Sequence, residues 1–340
     1  LKDFTIANGL GKGGNGNSAG GGAAGMGGAL FINDGAVTLE GLNFSENKAQ
    51  GGNAGASNGS GGGGGFAGNG NSSTAGTSGY LGGEVPTSPG GNGGPGAGGL
   101  GDAYVAGDGG FGAGGAGALY VNTYGATTIG GDGGFGGGGG GHGFINAAAV
   151  SGIQGMGGFG GGNGISYDTY YTRGGGGAGM GGAVFNRFGN VVIRNSSFTA
   201  NSVTGGVGGN ETTPSNGSEY GGAIFNYQGV ILSSNVSFGT GEDANSATNE
   251  ADFYDYNESN LNSSVISLLD ASDTNNSSFT VNAEITTFGV SGSYYIAHGS
   301  NNSNLSETTA TVNFTGETAE KTLAVPLNGL DLSAEYYYKV

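Results

Sequence analysis

The sequence has no cysteine and no tryptophan, and its 340 residues include only 2 histidines, 5 prolines and 8 basic residues. Without cysteine there are no disulfides, so stability has to come from backbone pairing and stacking. The few prolines and the lack of a Gly-X-Y period exclude a collagen triple helix. The shortage of Lys and Arg argues against nucleic acid and anionic headgroups as partners. No apolar run reaches membrane-spanning length, so we predict no membrane insertion.

Glycine and acidic residues dominate what is present. There are 86 glycines, and 25 Asp and Glu give a formal net charge of -17. The 17 Phe and 16 Tyr, together with recurring aliphatic clusters, favour a packed chain over a disordered one. An acidic surface rich in Asn, Ser and Thr suits a secreted protein, so we predict an extracellular or cell-surface location. The opening Leu1–Ile6 reads as a strand and not as a signal peptide, and we expect a mature or trimmed segment of a longer precursor.

Three segments align without gaps and predict the fold. Each begins with Gly-Gly-Ala-aliphatic-Phe, continues with an aliphatic run, and reaches a second Phe 17 positions after the first glycine. The copies occupy Gly27–Phe44, Gly181–Phe198 and Gly221–Phe238. Internal repeats of short β-branched and aromatic runs separated by turn residues are typical of stacked β architectures.

A second regularity has a step of 24 residues. The pattern Gly-x-Gly-Gly-Phe ends at Phe111, Phe135 and Phe159. A unit of 24 residues with three short strands is the size of one parallel β-helix coil, with strands about 4.8 Å apart. We therefore predict an all-β chain: a glycine-rich right-handed parallel β-helix over residues 1–252 with coils of about 24 residues, in which these three phenylalanines stack.

The repeat also resembles a known family. Gly-Gly-Ala-aliphatic followed by Phe-x-x-Asn is similar to the repeats of polymorphic outer-membrane proteins and autotransporter-type adhesins. Phe44 is followed by Asn47 and Phe198 by Asn201, whereas the copy at Phe238 lacks the asparagine, which suggests that the helix is ending there. The resemblance implies a surface-exposed β-helix that adheres or builds structure, and it implies no catalytic residues.

Two regions depart from the repeat. Residues 51–106 are predicted to be irregular glycine-rich excursions, either flexible loops or a polyglycine-II-like layer in which glycine backbones bond one another. After residue 252 glycine thins out and alternating stretches such as Val265–Leu268 and Phe279–Ile285 predict strands. Residues 310–327 resemble the second half of a Calx-β repeat. We predict a small β-sandwich-like module over 253–340, of Calx-β or immunoglobulin type and incomplete as a Calx-β repeat.

The sequence offers few residues that could perform catalysis. There is no cysteine nucleophile, and His142 and His298 are the only histidines, too few for a zinc site. The 24-residue register places Asp108 beneath Asp132, where two carboxylates could bind Ca²⁺ or act as turn caps. Oxygen-rich clusters suit Ca²⁺, so the acidic stretch near the domain junction is a second candidate, with a solvated linker as its alternative. The candidate calcium ligands are Asp108, Asp132, Glu242, Asp243, Asp252 and Asp255.

Two further sets of residues carry predictions. Turn-like sequons make Asn210, Asn216 and Asn301 the best candidates for glycosylation. A strand-like run ends the sequence and predicts assembly by β-strand addition to a neighbour, with connector residues Tyr336, Tyr337, Tyr338 and Val340. The alternative is that the run is an internal strand of one long polypeptide.

These observations predict a non-enzymatic extracellular structural or adhesive protein, such as a filament or biofilm-matrix subunit that self-associates end to end or contacts neighbouring domains. The alternative is a carbohydrate-active β-helix enzyme or a glycan-binding module, which would make glycans a partner. No cofactor is predicted other than Ca²⁺.

Overall fold

A computed structural model describes most of the N-terminal region and part of the C-terminal region. The described residues are 1–57, 60–66, 68–70, 92, 98–99, 104–118, 127–143, 152–166, 172–209, 215–256, 265–268, 272–275, 278–286, 292–300, 305, 307–309, 311–314, 321–328 and 337–339. The chain divides into two compact units, one formed by 1–231 and 235–256 and the other by 232–234 and 257–340. The first unit thus runs slightly beyond the predicted end at residue 252.

Both units are built from β-strands. One short 3-10 segment, Gly241–Asp243, is the only helical element among the described residues. The strands up to residue 256 are β1 (Thr5–Ala7), β2 (Leu10–Lys12), β3 (Gly25–Met26), β4 (Leu30–Ile32), β5 (Ala36–Glu40), β6 (Asn43–Ser45), β7 (Lys48–Gln50), β8 (Thr128–Ile129), β9 (Gly152–Ile153), β10 (Ile165–Ser166), β11 (Thr172–Arg173), β12 (Gly179–Met180), β13 (Val184–Asn186), β14 (Asn190–Thr199), β15 (Ser202–Thr204), β16 (Glu219–Tyr220), β17 (Ile224–Asn226), β18 (Val230–Phe238) and β19 (Phe253–Asp255).

Four parallel sheets form the framework of the first unit. Their strand orders are β1-β6-β14-β18 with β5 beside β14, β2-β7-β15, β3-β12-β16, and β4-β13-β17-β19. The three aligned repeats lie in register, because Phe185 pairs with Phe31 on one side and with Phe225 on the other. The sheet β4-β13-β17-β19 therefore takes one strand from each repeat.

Alternating side chains fill the space between these sheets. In β14 the inward residues Val191, Ile193 and Phe198 are fully buried while their neighbours are partly exposed. Phe198 stacks on Phe44 with ring centroids 4.6 Å apart and on Phe238 at 5.6 Å. The later phenylalanine of each repeat thus belongs to one continuous core ladder.

The glycine-rich segments pack backbone against backbone. Residues three apart face the same neighbour: the N–H groups of Gly138 and Gly141 donate to Gly22 and Ala19, whereas Gly139 between them donates to Gly162. Three residues per turn is the period of the polyproline II helix. Segment 20–22 shows how many neighbours one such segment has: its N–H groups reach Gly115 and Gly175, and its carbonyls accept from Gly55, Gly64 and Gly138. We call this arrangement the polyglycine lattice.

Each repeat of the Gly-x-Gly-Gly-Phe pattern contributes one hairpin to the lattice. A turn closes on a hydrogen bond from Ala113 N–H to the Gly110 carbonyl (2.9 Å), and Gly112, its third residue, has a φ of 78°. A positive φ at that position is the mark of a type II turn, which favours glycine. The same bond and the same φ recur in the next repeat, from Gly137 to Gly134 with Gly136 at 78°.

The structure therefore shows two different repeats, one that builds the sheets and one that builds the lattice, where a single coil was predicted. Phe111, Phe135 and Phe159 do stack, at 5.3 and 5.2 Å, as predicted. The four sheets, however, do not follow the step that separates these phenylalanines, because Phe44 pairs with Ile6 on one side and with Phe198 on the other. The predicted coil length, taken from the spacing of Phe111 and Phe135, is thus wrong for the sheets.

The described part of segment 51–106 belongs to the lattice. Gly63 donates to Gly99 (3.1 Å), Gly64 donates to Gly21 (2.9 Å), and the Gly65 carbonyl accepts from Gly14 (2.8 Å). These residues follow the polyglycine alternative and not the flexible-loop alternative.

The second unit consists of antiparallel strands around a small core. Its strands are β20 (Val265–Leu268), β21 (Ser272–Asn275), β22 (Ser278–Thr286), β23 (Gly292–Tyr294), β24 (Ala297–Gly299), β25 (Glu307–Thr308), β26 (Val312–Phe314), β27 (Lys321–Asn328) and β28 (Tyr337–Lys339). β22 is central, with β20, β21 and β27 paired to it. Val281, Ile296 and Leu327 are buried together. The alternating stretches predicted as strands at 265–268 and 279–285 coincide with β20 and β22.

Candidate functional site: polar and aromatic ladders of the first unit

A buried asparagine ladder crosses the strands of the first unit. The amide nitrogen Nδ2 of Asn47 donates to Oδ1 of Asn201 (2.9 Å), and Nδ2 of Asn201 donates to Oδ1 of Asn245 (2.9 Å). Nδ2 of Asn245 donates to Oδ1 of Asp252 (3.0 Å). Each Asn Oδ1 also accepts a backbone N–H from the preceding rung, beginning with Gly9 at 2.9 Å. Each Nδ2 thus donates to a side chain of the later rung and also to a backbone carbonyl of the preceding rung, namely that of Ile6, Phe44 or Phe198.

This ladder explains the Phe-x-x-Asn motif and corrects one interpretation of it. Asn47 and Asn201 are the motif asparagines, and both are fully buried. The third copy lacks the motif asparagine, but the ladder continues. Asn245 supplies the side chain, from a position further along the chain than the motif predicts. The 3-10 segment Gly241–Asp243 takes up the extra residues. The stack then continues to β19, which pairs with β17.

A second asparagine ladder lies on the sheet containing β13. Nδ2 of Asn186 donates to Oδ1 of Asn226 (2.9 Å), and Nδ2 of Asn226 donates to Oδ2 of Asp255 (3.4 Å). Both asparagines are buried, and each also donates to the carbonyl three residues ahead, Gly189 or Gly229. Neither Asn186 nor Asn226 was predicted from the sequence as a ladder residue. The signal was an Asn directly after the repeat phenylalanine with Gly three positions later.

Both ladders end on a carboxylate. Asp252 and Asp255, two of the predicted calcium ligands, each accept the last amide N–H of a ladder. An ionised carboxylate accepts hydrogen bonds but donates none, so neither ladder can be extended by another amide in the same direction. The structure therefore gives these aspartates a role as terminal acceptors.

Asp108 and Asp132 lie on consecutive rungs of the polyglycine lattice, as their spacing in the sequence predicts. Oδ1 of Asp108 accepts the backbone N–H of Asp132 (2.7 Å), and Oδ1 of Asp132 accepts that of Met156 (2.7 Å). An amide does the same one rung earlier, where Asn92 Oδ1 accepts the N–H of Asp108 (2.9 Å). Each carboxylate thus caps the backbone of the following rung.

An open groove runs beside these two carboxylates. Val105 and Ile129 form its apolar side, while Asn92, Asp108 and Asp132 form its polar side. Val105, Ile129 and Ile153 are themselves joined in parallel pairing from one rung to the next. The groove is a surface feature of the repeat with one acidic and one apolar wall.

The predicted calcium ligands do not converge on one point. Glu242 and Asp243 lie on the exposed 3-10 segment, away from the aspartates of the lattice rungs in sequence and in hydrogen bonding. Among the described ranges, no three His, Asp or Glu side chains gather closely enough to hold a metal. Calcium binding by these six residues stays a prediction.

Two stacked aromatic rows face each other where the lattice meets the sheets. Phe31, Phe185, Phe225 and Tyr254 stack on consecutive strands with centroids 5.3, 5.1 and 5.2 Å apart. The lattice phenylalanines meet them edge-on, as Phe135 does with Phe225 at 6.1 Å and 66°. Edge-to-face contacts of this kind add to the free energy of burial.

Arg187 closes one end of this aromatic layer. Its guanidinium lies 3.9 Å above the ring of Phe111 and 4.6 Å from that of Phe188, and Nη1 donates to Asn33 Oδ1 (3.0 Å). Burial lowers the pKa of Arg187 from its ordinary value, while Tyr227 opposes that shift. Arginine over aromatic faces is a stabilising cation–π contact.

The remaining candidate residues are placed as follows. Asn216 is exposed, and its Oδ1 accepts the N–H of Gly208 (2.9 Å). Tyr337 and Tyr338 belong to β28, which pairs antiparallel with β24, and Tyr338 packs on the core of the second unit. The other predicted residues, Asn210, Asn301, Tyr336 and Val340, lie outside the described residues.

The two histidines belong to different units. His142 is buried in the lattice, and its Nδ1 lies 2.8 Å from the Gly143 carbonyl. His298 is buried in the second unit, with Nδ1 3.8 Å from Glu307.

Comparison with known proteins adds no relative. No protein-family model, curated protein or solved structure matches the chain. Within the part of the chain that the structure describes, no helix is long and apolar enough to cross a membrane.

Proposed function

We propose that this chain is an extracellular structural or adhesive surface protein, without enzymatic activity, whose first unit is a right-handed parallel β-helix that self-associates. The four parallel sheets support the β-helix, because within each of them strands from successive segments of the chain pair in register. One coil of this helix leads from Ile6 to its partner Phe44, and another leads from Phe185 to Phe225. The polyglycine lattice takes segments from the chain between β7 and β12 and also segment 20–22, which lies between β2 and β3.

The observation that carries the proposal is the extent of side-chain stacking in the first unit. Three aligned repeats, two asparagine ladders and two aromatic rows all stack within this one unit. A scaffold of this kind favours a mechanical role on a cell surface or in a matrix.

Self-association is supported by the terminal strands of the sheets. Among the described residues, β1 and β2 each have one hydrogen-bonded neighbour, β6 and β7. Leu1, Phe4 and Leu10 beside these edges are 54%, 44% and 58% exposed. An exposed edge strand with apolar side chains is a template for another strand. In the second unit β28 is likewise the last strand of its sheet among the described residues.

Leu10→Lys tests this proposal, because charges on an edge strand block pairing with another chain. The matched control is Val207→Lys, whose side chain is 52% exposed but lies on no terminal strand. We expect concentration-dependent oligomers of the unchanged protein in sedimentation velocity and electron microscopy, lost in Leu10→Lys and kept in Val207→Lys. A protein that stays monomeric at every concentration, or a Leu10→Lys variant that assembles as before, would overturn self-association through this edge.

A further inference from the structure

Tyr227 and Tyr256 occupy equivalent positions directly after two paired strands, β17 and β19. The register of β17 and β19 pairs Asn226 with Asp255. Tyr227 directly follows Asn226, and Tyr256 directly follows Asp255. The two rings stack with centroids 5.2 Å apart and 28° between their planes. Parallel in-register strands point equivalent side chains in the same direction, so the two hydroxyl ends lie side by side.

Neighbouring rings hold this pair in place. Tyr227 packs on Phe135 (4.3 Å) and Phe111 (5.4 Å), and Tyr256 packs edge-on to Phe159 at 4.6 Å. Tyr256 is nevertheless 39% exposed, so one face of the pair is open to solvent. The rings are thus both fixed relative to each other and accessible.

The composition makes tyrosine the principal site of one-electron oxidation. The chain has no cysteine and no tryptophan, the two side chains that would otherwise react first. Two of its three methionines, Met26 and Met180, are buried. Methionine is in any case converted to its sulfoxide by oxygen-atom transfer, a different reaction with a different product.

We propose that Tyr227 and Tyr256 form an intramolecular dityrosine cross-link when the protein meets hydrogen peroxide and a haem peroxidase. The peroxidase removes one electron and one proton from each phenol. The two radicals join through a carbon–carbon bond between ring carbons ortho to the hydroxyls, and the hydrogen on each of those carbons moves to the oxygen to restore the phenol. The chain loses two hydrogen atoms, which reduce one hydrogen peroxide to two waters.

The cross-link would fasten the last strand of its sheet. Among the described residues β19 is paired on one side only, to β17. A covalent bond between Tyr227 and Tyr256 closes the loop between those two strands. As with a disulfide, closing a loop restricts the unfolded chain and stabilises the folded one. A protein without cysteine would thereby gain an oxidative cross-link by another route.

The experiment treats dilute protein with horseradish peroxidase and hydrogen peroxide and isolates the monomer. We expect dityrosine fluorescence, an intact mass lower by two hydrogen atoms, a cross-linked peptide joining Tyr227 to Tyr256, and a higher thermal midpoint. Tyr256→Phe keeps the ring stack and removes the phenol, so it should abolish the monomer product. The control is Tyr220→Phe: Tyr220 lies 4.8 Å from Tyr254 at 62°, outside equivalent positions, and this variant should leave the product unchanged.

Three outcomes would overturn the proposal. The first is a monomer product in Tyr256→Phe at the yield of the unchanged protein. The second is cross-linking only between molecules, and the third is no dityrosine at all. Circular dichroism of both variants establishes that they are folded, so that loss of the product reports the missing phenol. The proposal is independent of self-association, which the reaction does not require.

Discussion

The parallel sheets and the polyglycine lattice belong to one compact unit, but they require glycine for different reasons. In the sheets, the first glycine of each aligned repeat is a turn residue: Gly27, Gly181 and Gly221 have φ values of 62°, 63° and 60°. There glycine is required by the conformation of the turn, in which a Cβ would meet the carbonyl three residues ahead. In the lattice, a Cβ on Gly114 or Gly138 would overlap the carbonyl of a neighbouring segment. There glycine is chosen because nothing larger fits.

The two regions also differ in what joins neighbouring segments. Side chains form the ladders of the sheets, so those contacts are specific to residue type, as with Asn201 and Phe198. Within the glycine segments of the lattice, backbone groups bond neighbouring segments directly, as between Gly22 and Gly175 (2.9 Å). The sheets should therefore be broken by deleting a side chain and the lattice by adding one.

The largest effect is expected from adding a methyl group to the lattice. Gly138→Ala places Cβ against the backbone of Gly175 and the carbonyl of Gly176, so the two segments must move apart. We expect a loss of at least about 3 kcal/mol from the unfolding free energy of the first unit. Denaturant unfolding followed by circular dichroism measures the loss.

Gly35→Ala is the matched control for this substitution. Gly35 has a φ of 102° but open space around its Cβ position, so its cost should be the left-handed strain of about 1–2 kcal/mol alone. If Gly138→Ala proves no more destabilising than Gly35→Ala, close packing is not what selects glycine in the lattice.

A smaller but clear loss is expected from deleting a rung of the first asparagine ladder. Asn201→Ala removes the acceptor for the backbone N–H and Nδ2 of Asn47, as well as the donor to Asn245, all in a buried site. Buried polar groups left without partners cost about 2–3 kcal/mol in total. The unfolding free energy should fall by that amount.

Asn190→Ala provides the comparison on the same strand. Asn190 begins β14 and is exposed, so we expect a change within about 0.5 kcal/mol. Equal losses in the two variants would mean that the ladder contributes nothing beyond the intrinsic preferences of the strand.

Sequence reasoning was most successful where side chains carry a pattern. The spacing of Gly27 to Phe44 recurs in all three repeats, and it fixes the register that the sheets show. Sequence could also identify the Asn47 and Asn201 pair, because both follow Phe by three. Asn245 was not predicted as a ladder residue, because additional residues separate it from the position that the motif predicts.

The adjacency of the first two repeats and the partner of each glycine in the lattice could not be predicted, for a physical reason. Equivalence between Phe44 and Phe198 is visible in the sequence, but the adjacency of two such distant positions is a property of how the intervening segment folds. Glycine has no side chain to alternate between faces, so no periodicity indicates that Gly21 bonds to Gly115 or Gly64 to Gly21. The lattice is determined by steric exclusion, which a one-dimensional pattern does not record.

The smallest effect is expected at the acidic rungs of the lattice, where calcium binding and backbone capping make different predictions. Asp132 Oδ1 accepts the N–H of Met156, and an amide oxygen can do the same, as Asn92 does for Asp108. Asp132→Asn should therefore change the unfolding free energy by less than about 0.5 kcal/mol, whereas Asp132→Ala, which removes the acceptor, should cost about 1 kcal/mol.

Thermal unfolding with and without Ca²⁺ at matched ionic strength separates the two roles. At a net charge of -17, screening cations relieve self-repulsion, so we expect Ca²⁺ to raise the midpoint modestly in the unchanged protein. If capping is the role of Asp132, Asp132→Asn keeps this rise in full, because one charge in the total is a small change. If the Asp108 and Asp132 carboxylates hold the ion together, the rise disappears in Asp132→Asn, since calcium affinity falls steeply with each carboxylate lost. The hydrogen bonds from each carboxylate to the next rung lead us to expect the first result.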